Sequence, residues 1–253
     1  MHTKVLMLLT FLTSLTLYSS AADAVDFQSY VVTVDTGNNT TLQLKDRPRL
    51  DQLMTALQAE YDLYWPAARF YRDDPLRHYG FERKRRELLL QLGAIKRLLG
   101  KDTVPDDFAQ LIRTARLAAP VELVLDPDAI AGKDELNMQL DRGDYILRVG
   151  KRPKDLEITG FAGQSKVRHQ YNLTVRDYTL DLAFTELADQ SMVYLLSPTL
   201  TVTASGRALW NKSPVQVRPG TVLYIPIDES ALPAEFSGIN QQIIEFLQHR
   251  VTD

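Results

Sequence analysis

Three histidines, two close carboxylate pairs and one run of four cations are the places where this sequence could support chemistry. His78, His169 and His249 are the histidines beyond the apolar leader. No two of them stand at metal-ligand spacing on one element, so each reads as a surface or strand residue. Asp126 with Asp128, and Asp181 with Glu186, could serve glycoside cleavage only if two carboxyls faced one bond about 5–9 Å apart. Their turn and helix settings favour structural roles. HExxH, GxSxG, the Walker A loop and the dinucleotide glycine fingerprint are all absent. Catalytic residues, a metal site and cofactors are therefore not expected.

The cation run is Arg83-Lys84-Arg85-Arg86. Adjacent helical residues point about 100° apart, so four in a row cannot form one narrow recognition face. A solvated helix face competes with an anion-facing surface that could meet acidic polysaccharide, lipid phosphate or an acidic partner. Arg83 and Arg86 are the candidate contacts. Tyr61, Tyr64, Trp65, Phe70 and Tyr71 cluster nearby; such rings can stack on sugars, although at this spacing they also suit a core. Trp65 is the candidate among them.

These residues belong to a 253-residue chain of formal net charge −3 with no cysteine. Its fold must rest on apolar burial, which a chain this long can supply. Between Arg69 and Lys101 there are ten Lys or Arg against four Asp or Glu, which leaves the remainder at about −9. The chain opens with Lys4, an apolar run from Val5 to Tyr18 and small residues Ser19-Ser20-Ala21-Ala22. That is the layout of a secretory signal peptide, and the run is short of the ~20 residues a spanning helix needs. Residues 1–22 are read as the signal, with a mature start near Asp23 or Val25, and the location as periplasmic. Nucleic acid is not expected as a partner.

The positioning elements follow from periodicity. Tyr30–Val34 and Thr41–Leu44 read as a hairpin around Thr36-Gly37-Asn38-Asn39. Leu50, Leu53, Met54, Leu57 and Tyr61 fall at helical spacing, with Asp46 as the cap. Hairpin then helix is how a β-grasp domain opens. A helix from Phe81 to Leu99, striped by Leu88, Leu92, Ile95 and Leu99, precedes a second that Pro105-Asp106-Asp107 opens. Together they read as an inserted helical hairpin. Strands are expected at Val121–Leu125 and Tyr145–Val149, with a turn at Asp126-Pro127-Asp128.

From Lys151 the order repeats coarsely. Strands are expected at Leu156–Gly160, near His169–Asn172, at Met192–Leu196, at Leu200–Val202, from Gly206 to Leu209 and at Val222–Ile225. Thr174 would cap a helix reaching Tyr178 and Leu182, and Arg218-Pro219-Gly220 would turn before the last strand. Pro233 opens a final helix whose stripe is Phe236, Ile239, Ile243, Phe246 and Leu247. That stripe could cover the second domain, lie on a membrane or dock a partner. The docking version uses Phe236, Ile239, Ile243 and Leu247.

Ala208-Leu209-Trp210-Asn211-Lys212, the Pro-Gly turn, Ile239-Asn240-Gln241-Gln242-Ile243, Gln248-His249-Arg250-Val251, Trp65-Pro66-Ala67 and Leu125-Asp126-Pro127-Asp128 resemble the capsule-biosynthesis GfcC family. The resemblance covers nearly all of the chain beyond the leader. It implies an α+β protein of two β-grasp domains of the soluble-ligand-binding type, similar to those of Wza-type capsule translocons. It also implies a helical hairpin inserted in the first domain and a C-terminal amphipathic helix. The implied role is that of a periplasmic accessory in making or exporting a group 4 capsule or related exopolysaccharide. Outer-membrane β-barrel and lipoprotein components of the export system, and the polysaccharide itself, are the implied partners. Relatives carry an arginine shortly before the strand that leads into Asp-Pro-Asp. Pro120 holds that place here, with Arg116 and Arg113 the nearest arginines, and these two are the candidate ligand contacts.

The expected division is a signal at 1–22, a first β-grasp domain at 23–150 with its hairpin at about 78–118, a second at 151–230 and the amphipathic helix at 231–253. The expected activity is non-enzymatic. The alternative is a periplasmic enzyme that modifies or trims the polysaccharide, using Arg116 or Arg113 with nearby carboxylates. A bulky hairpin beside a sheet edge would obstruct ring assembly, so a monomer or weak dimer is expected.

Overall fold

The computed structural model describes residues 5–6, 30–35, 40–44, 47–207 and 215–252. The leader apart from Val5 and Leu6, the turn at Thr36–Asn39, the cap expected at Asp46, and Ala208–Lys212 with Trp210 lie outside those residues.

The first half supplies β1 (Val5–Leu6), β2 (Tyr30–Asp35), β3 (Thr40–Leu44), α1 (Leu50–Gln58), β4 (Arg69–Arg72), α2 (Pro75–Leu99), α3 (Asp106–Thr114), β5 (Ala119–Pro120), α4 (Pro127–Ala131) and β6 (Asp144–Arg148). The second supplies β7 (Asp155–Gly160), β8 (Ser165–Arg168), α5 (Val175–Thr179), β9 (Met192–Leu196), β10 (Val202–Gly206), β11 (Val222–Ile225) and α6 (Ile239–His249).

The result is a mixed α+β fold with two sheets. Strand order is β1-β3-β2-β6-β4-β5 in the first and β10-β9-β11-β7-β8 in the second. In each, a hairpin (β2–β3, β7–β8) is followed by a helix (α1, α5). A later strand (β6, β11) runs parallel to the hairpin's first strand, and another (β4, β9) lies antiparallel beyond it. The repeat expected from element order is thus present in the pairing.

Local chemistry sets the element ends. Arg49 is the N-cap of α1, and its N–H donates to Gln52 Oε1 at 3.0 Å. The helix stops at Gln58, so Tyr61 lies beyond it. Asp74 caps α2, accepting from the Leu76 N–H at 3.0 Å, and Pro75 fills the first turn where no donor is needed. The helix therefore starts six residues before Phe81. Leu88, Leu92 and Ile95 are buried as expected, whereas Leu99, in the last turn, is 38% exposed. Thr174 and Asp177 form a capping box on α5, which ends at Thr179, short of Leu182.

Several strand expectations shift. Arg69–Arg72, read only as part of an aromatic cluster, is a strand paired on both sides, between β6 and β5. Val121–Leu125 is not in the ladder: the Val121 N–H still reaches the Phe70 carbonyl at 2.9 Å, after which the chain leaves to place Asp126 as the cap of α4. Asp126-Pro127-Asp128 is therefore a helix start rather than a simple turn. The strand placed near His169–Asn172 is β8, four residues earlier, because the turn at Gly163 lets pairing begin at Ser165. The strand at Leu200–Val202 begins at Val202, with Leu200 in the preceding turn at φ 65°.

Two main cores result. Leu50, Leu53, Met54, Leu57, Trp65 and Phe70 pack with β2 and β6 residues in the first. The second joins Leu156, Ile158, Phe161, Val193, Leu223 and Tyr224 with Leu88, Leu92, Ile95, Phe108 and Ile112 of the α2–α3 pair. A hairpin carried in the first half of the chain thus buries its apolar stripe in the core of the second sheet. Asp107 fixes that docking, its Oδ2 accepting from the Gln164 N–H at 2.6 Å. Across α2 and α6, Gln91 bonds Gln242 at 3.1 Å and Lys84 pairs with Glu245.

Candidate functional site

β4, β6 and β8 present cationic side chains to one cleft of about 510 Å³ between the two sheets. Arg69 and Arg148 come from the first sheet, Lys166 from β8, Lys151 and Lys154 from the segment that joins the halves, and Arg250 from the residue after α6. Asp155 and Glu157 are the acids of the lining, so the cleft carries an excess of four positive charges. Low-dielectric walls focus such a field on whatever enters.

The floor is built rather than incidental. Arg250 is 6% exposed and donates from Nη1 and Nη2 to the two oxygens of Glu157, both at 2.6 Å. This forked geometry uses the planar guanidinium fully on that side. Arg250 Nε is buried without a partner among the described residues. Arg69 is 5% exposed, and its Nη2 reaches the Gly220 carbonyl at 3.4 Å. Burial alone would raise the Glu157 pKa, but the hydrogen bonds and charge of Arg250, with help from Gln164 and Arg69, hold it below its ordinary value. Glu157 is thus an ionised anchor for Arg250, and Arg69, Arg148 and the lysines line the cleft around it.

Gly220 shapes the wall. Its φ of +81° suits glycine, and a Cβ there would stand 3.2–3.4 Å from Ala67, Pro198 and Pro153. Beside this wall the Arg152 guanidinium lies 5.4 Å from the Tyr64 ring centre and 5.0 Å from that of Tyr171. An aromatic–cation–aromatic stack therefore links the two halves, its Arg152 lying between Lys151 and Pro153 of the cleft lining.

A second cleft of about 590 Å³ shares Arg69 as part of its wall and is lined by Trp65, Phe70, the 121–128 segment, Leu200 and Arg218. Trp65 lies here, but it is 7% exposed and its Nε1 is buried without a partner among the described residues. Asp126 also lines this cleft; its Oδ1 is engaged by the Asp128 and Ala129 N–H groups at 3.0 and 3.3 Å.

The remaining residues singled out in the sequence lie elsewhere. Arg116 donates to Asp73 at 2.6 Å, Asp73 also bonds His78 Nε2 at 2.7 Å, and Arg113 bonds Gln110 at 2.6 Å. Neither arginine lines either cleft. Arg83 pairs with Glu87 at 3.7 Å, Lys84 with Glu245 and Arg85 with Glu82 at 2.9 Å, so the run is divided among several sides of α2. Phe236, Ile239, Ile243 and Leu247 are at most 5% exposed and belong to the protein's own second core. This corrects the docking expectation: the stripe of α6 already has an occupant, the sheet beneath it. Phe236 precedes the helix, in a short 3₁₀ turn.

Arg69, Arg148, Glu157, Lys166 and Arg250 were not singled out from sequence. A signal existed in Leu156-Glu157-Ile158, where an acid interrupts an apolar strand, and in Arg250 within the Gln248–Val251 segment.

Comparison with known proteins agrees with this architecture. The family model described as capsule biosynthesis GfcC, N-terminal, matches residues 28–152, and the one described as capsule biosynthesis GfcC C-terminal matches residues 163–252. The interval between them falls on the segment that lines the cleft. Among curated proteins the chain is similar to Uncharacterized protein YjbG of Escherichia coli (strain K12), 26% identical over 159 residues. That match spans 60% of this chain and 64% of YjbG. With both halves matched in order, the chain belongs to the capsule biosynthesis GfcC family.

Proposed function

We propose that this protein is a periplasmic, non-enzymatic accessory of capsule or exopolysaccharide assembly and export, and that its inter-sheet cleft holds an anionic stretch of the polymer. The single observation that carries this reading is the charge of the cleft, six cations against two acids around a buried Arg250–Glu157 floor. Uronate or other carboxylate-bearing sugars suit forked guanidinium donors, and the Tyr64–Arg152–Tyr171 stack offers aromatic faces on which sugar rings can lie. Family membership supports the capsule context.

Each sheet, in this reading, is a β-grasp unit, supported by the shared hairpin–helix–parallel strand order. The working state is a monomer or weak dimer that meets outer-membrane β-barrel and lipoprotein components of the export system. The apolar leader supports export.

The test is binding of polygalacturonate oligomers, with neutral dextran as control. The protein is expected to retain the acidic oligomer and not dextran, and Lys154→Gln/Lys166→Gln to weaken retention about tenfold, as loss of two exposed contacts in a focused field would. Equal binding of dextran, or no effect of the double substitution, would overturn the cleft reading.

A further inference from the structure

Helix α2 has a second face that the fold does not use. Leu88, Leu92 and Ile95 turn into the core, and at 3.6 residues per turn the opposite meridian carries Leu76, Tyr79, Arg83, Arg86, Leu90 and Arg97. These follow the 3-4-3-4-7 spacing of one continuous stripe. Leu76 is 90% exposed, Tyr79 73% and Leu90 70%, with Leu98 flanking at 60%. No acid stands on the stripe itself. Glu87 pairs with Arg83 from its edge, whereas Arg86 and Arg97 have no ion-pair partner among the described residues. The helix is about 37 Å long, so the stripe is an extended surface and not a spot.

We infer that this face of α2 rests on an anionic lipid surface, the helix lying in the plane of the headgroups. Large exposed aliphatic side chains interspersed with arginines, and a tyrosine near one end, suit an interfacial helix. The leucines enter the acyl boundary, the tyrosine ring sits at headgroup level, and the arginines extend to the phosphates. Charge complementarity selects the occupant. Two copies of this chain packed stripe on stripe would set Arg83 and Arg86 against their own counterparts, a like-charge contact. A neutral apolar partner would leave the arginines unpaired. Lying on the surface, rather than crossing it, agrees with the absence among the described residues of any helix apolar enough to span.

The experiment is co-sedimentation with vesicles of phosphatidylcholine, with and without one quarter phosphatidylglycerol, at 0.1 M salt. The protein is purified after export and its first residue determined, so that the apolar leader does not contribute. Partitioning is expected onto the anionic vesicles and to weaken strongly in 0.5 M salt, where screening shortens to a few ångströms. Leu76→Ser/Leu90→Ser and, separately, Arg83→Gln/Arg86→Gln are each expected to lower it by about tenfold or more with melting temperature unchanged, since all four side chains are exposed. Absence of wild-type binding, or binding that either pair leaves intact, overturns the inference. So does retention on soluble polygalacturonate that both pairs abolish without any vesicle binding, which would assign the face to a polymer. The cleft variants Lys154→Gln/Lys166→Gln leave vesicle binding unchanged, which separates this result from the cleft test.

Discussion

Arg250 and Glu157 form a two-armed buried ion pair, with both N–H···O distances at 2.6 Å, and the Arg250 carbonyl accepts the Tyr71 hydroxyl at 3.0 Å. One residue therefore ties the second sheet, through β7, to the first, through β4. Removing the guanidinium would strand a carboxylate in a poorly solvated site. Arg250→Ala is expected to destabilise by about 3–5 kcal/mol in urea titration. Arg250→Met combined with Glu157→Gln should recover most of that loss, because no unpaired charge remains. A double variant no better than the single would contradict the charge argument.

The same pair sets an acid limit. Glu157 has a folded pKa below its ordinary value near 4.5, so the unfolded chain takes up the proton first. Its contribution is fully present above about pH 4.5 and is lost as pH falls through the folded value. Urea midpoints at pH 7, 4 and 3 should show the wild-type advantage over Glu157→Gln shrinking across that window. A constant gap would mean the pair adds nothing that depends on charge.

Gly160 ends β7 at φ +106°, and a Cβ there would lie 2.3 Å from the Ile225 carbonyl oxygen and 2.8 Å from the Tyr224 ring. Neither can yield, since both belong to the central strand beside it. Gly160→Ala is expected to cost about 3 kcal/mol or more, beyond the 1–2 kcal/mol of the backbone conformation alone. Thermal denaturation reads this directly.

For α6 the expected result is structural. Ile243 is fully buried, so Ile243→Ala should destabilise by about 2–5 kcal/mol, and Ile243→Asp should leave little folded protein at 37 °C. An unchanged melting temperature for Ile243→Asp would return the helix to a docking role.

Much of this architecture was legible in the sequence because local pattern governs it. The β2–β3 hairpin, α1, β6, β7, β9 and β11 follow from alternation, helical spacing and turn residues. What was not legible depends on contacts between distant residues. The α2–α3 pair reads as part of the first half because it is threaded there, yet its stripe is matched by Leu156, Ile158 and Phe161. Phe236, Ile239, Ile243 and Leu247 show one apolar face, and periodicity cannot say whether that face meets the molecule's own sheet or another's. The cleft was missed for the same reason. Arg69, Glu157 and Arg250 are far apart in sequence, and only the packing of two sheets makes them neighbours.

The backbone of residues 249–251 also has a part in the order of assembly. The Ala118 N–H, on a fully buried residue, donates to the His249 carbonyl at 3.0 Å, and the Val251 N–H donates to the Arg116 carbonyl at 2.9 Å. The edge of the first sheet is thus finished by residues at the end of α6 and just beyond it. A nascent chain holding residues 1–150 has neither those partners nor the second core into which α2 places its leucines. Such a fragment leaves the Ala118 N–H and the α2 leucines uncovered, and it is expected to be more sensitive to protease than a chain that also holds the second sheet and α6.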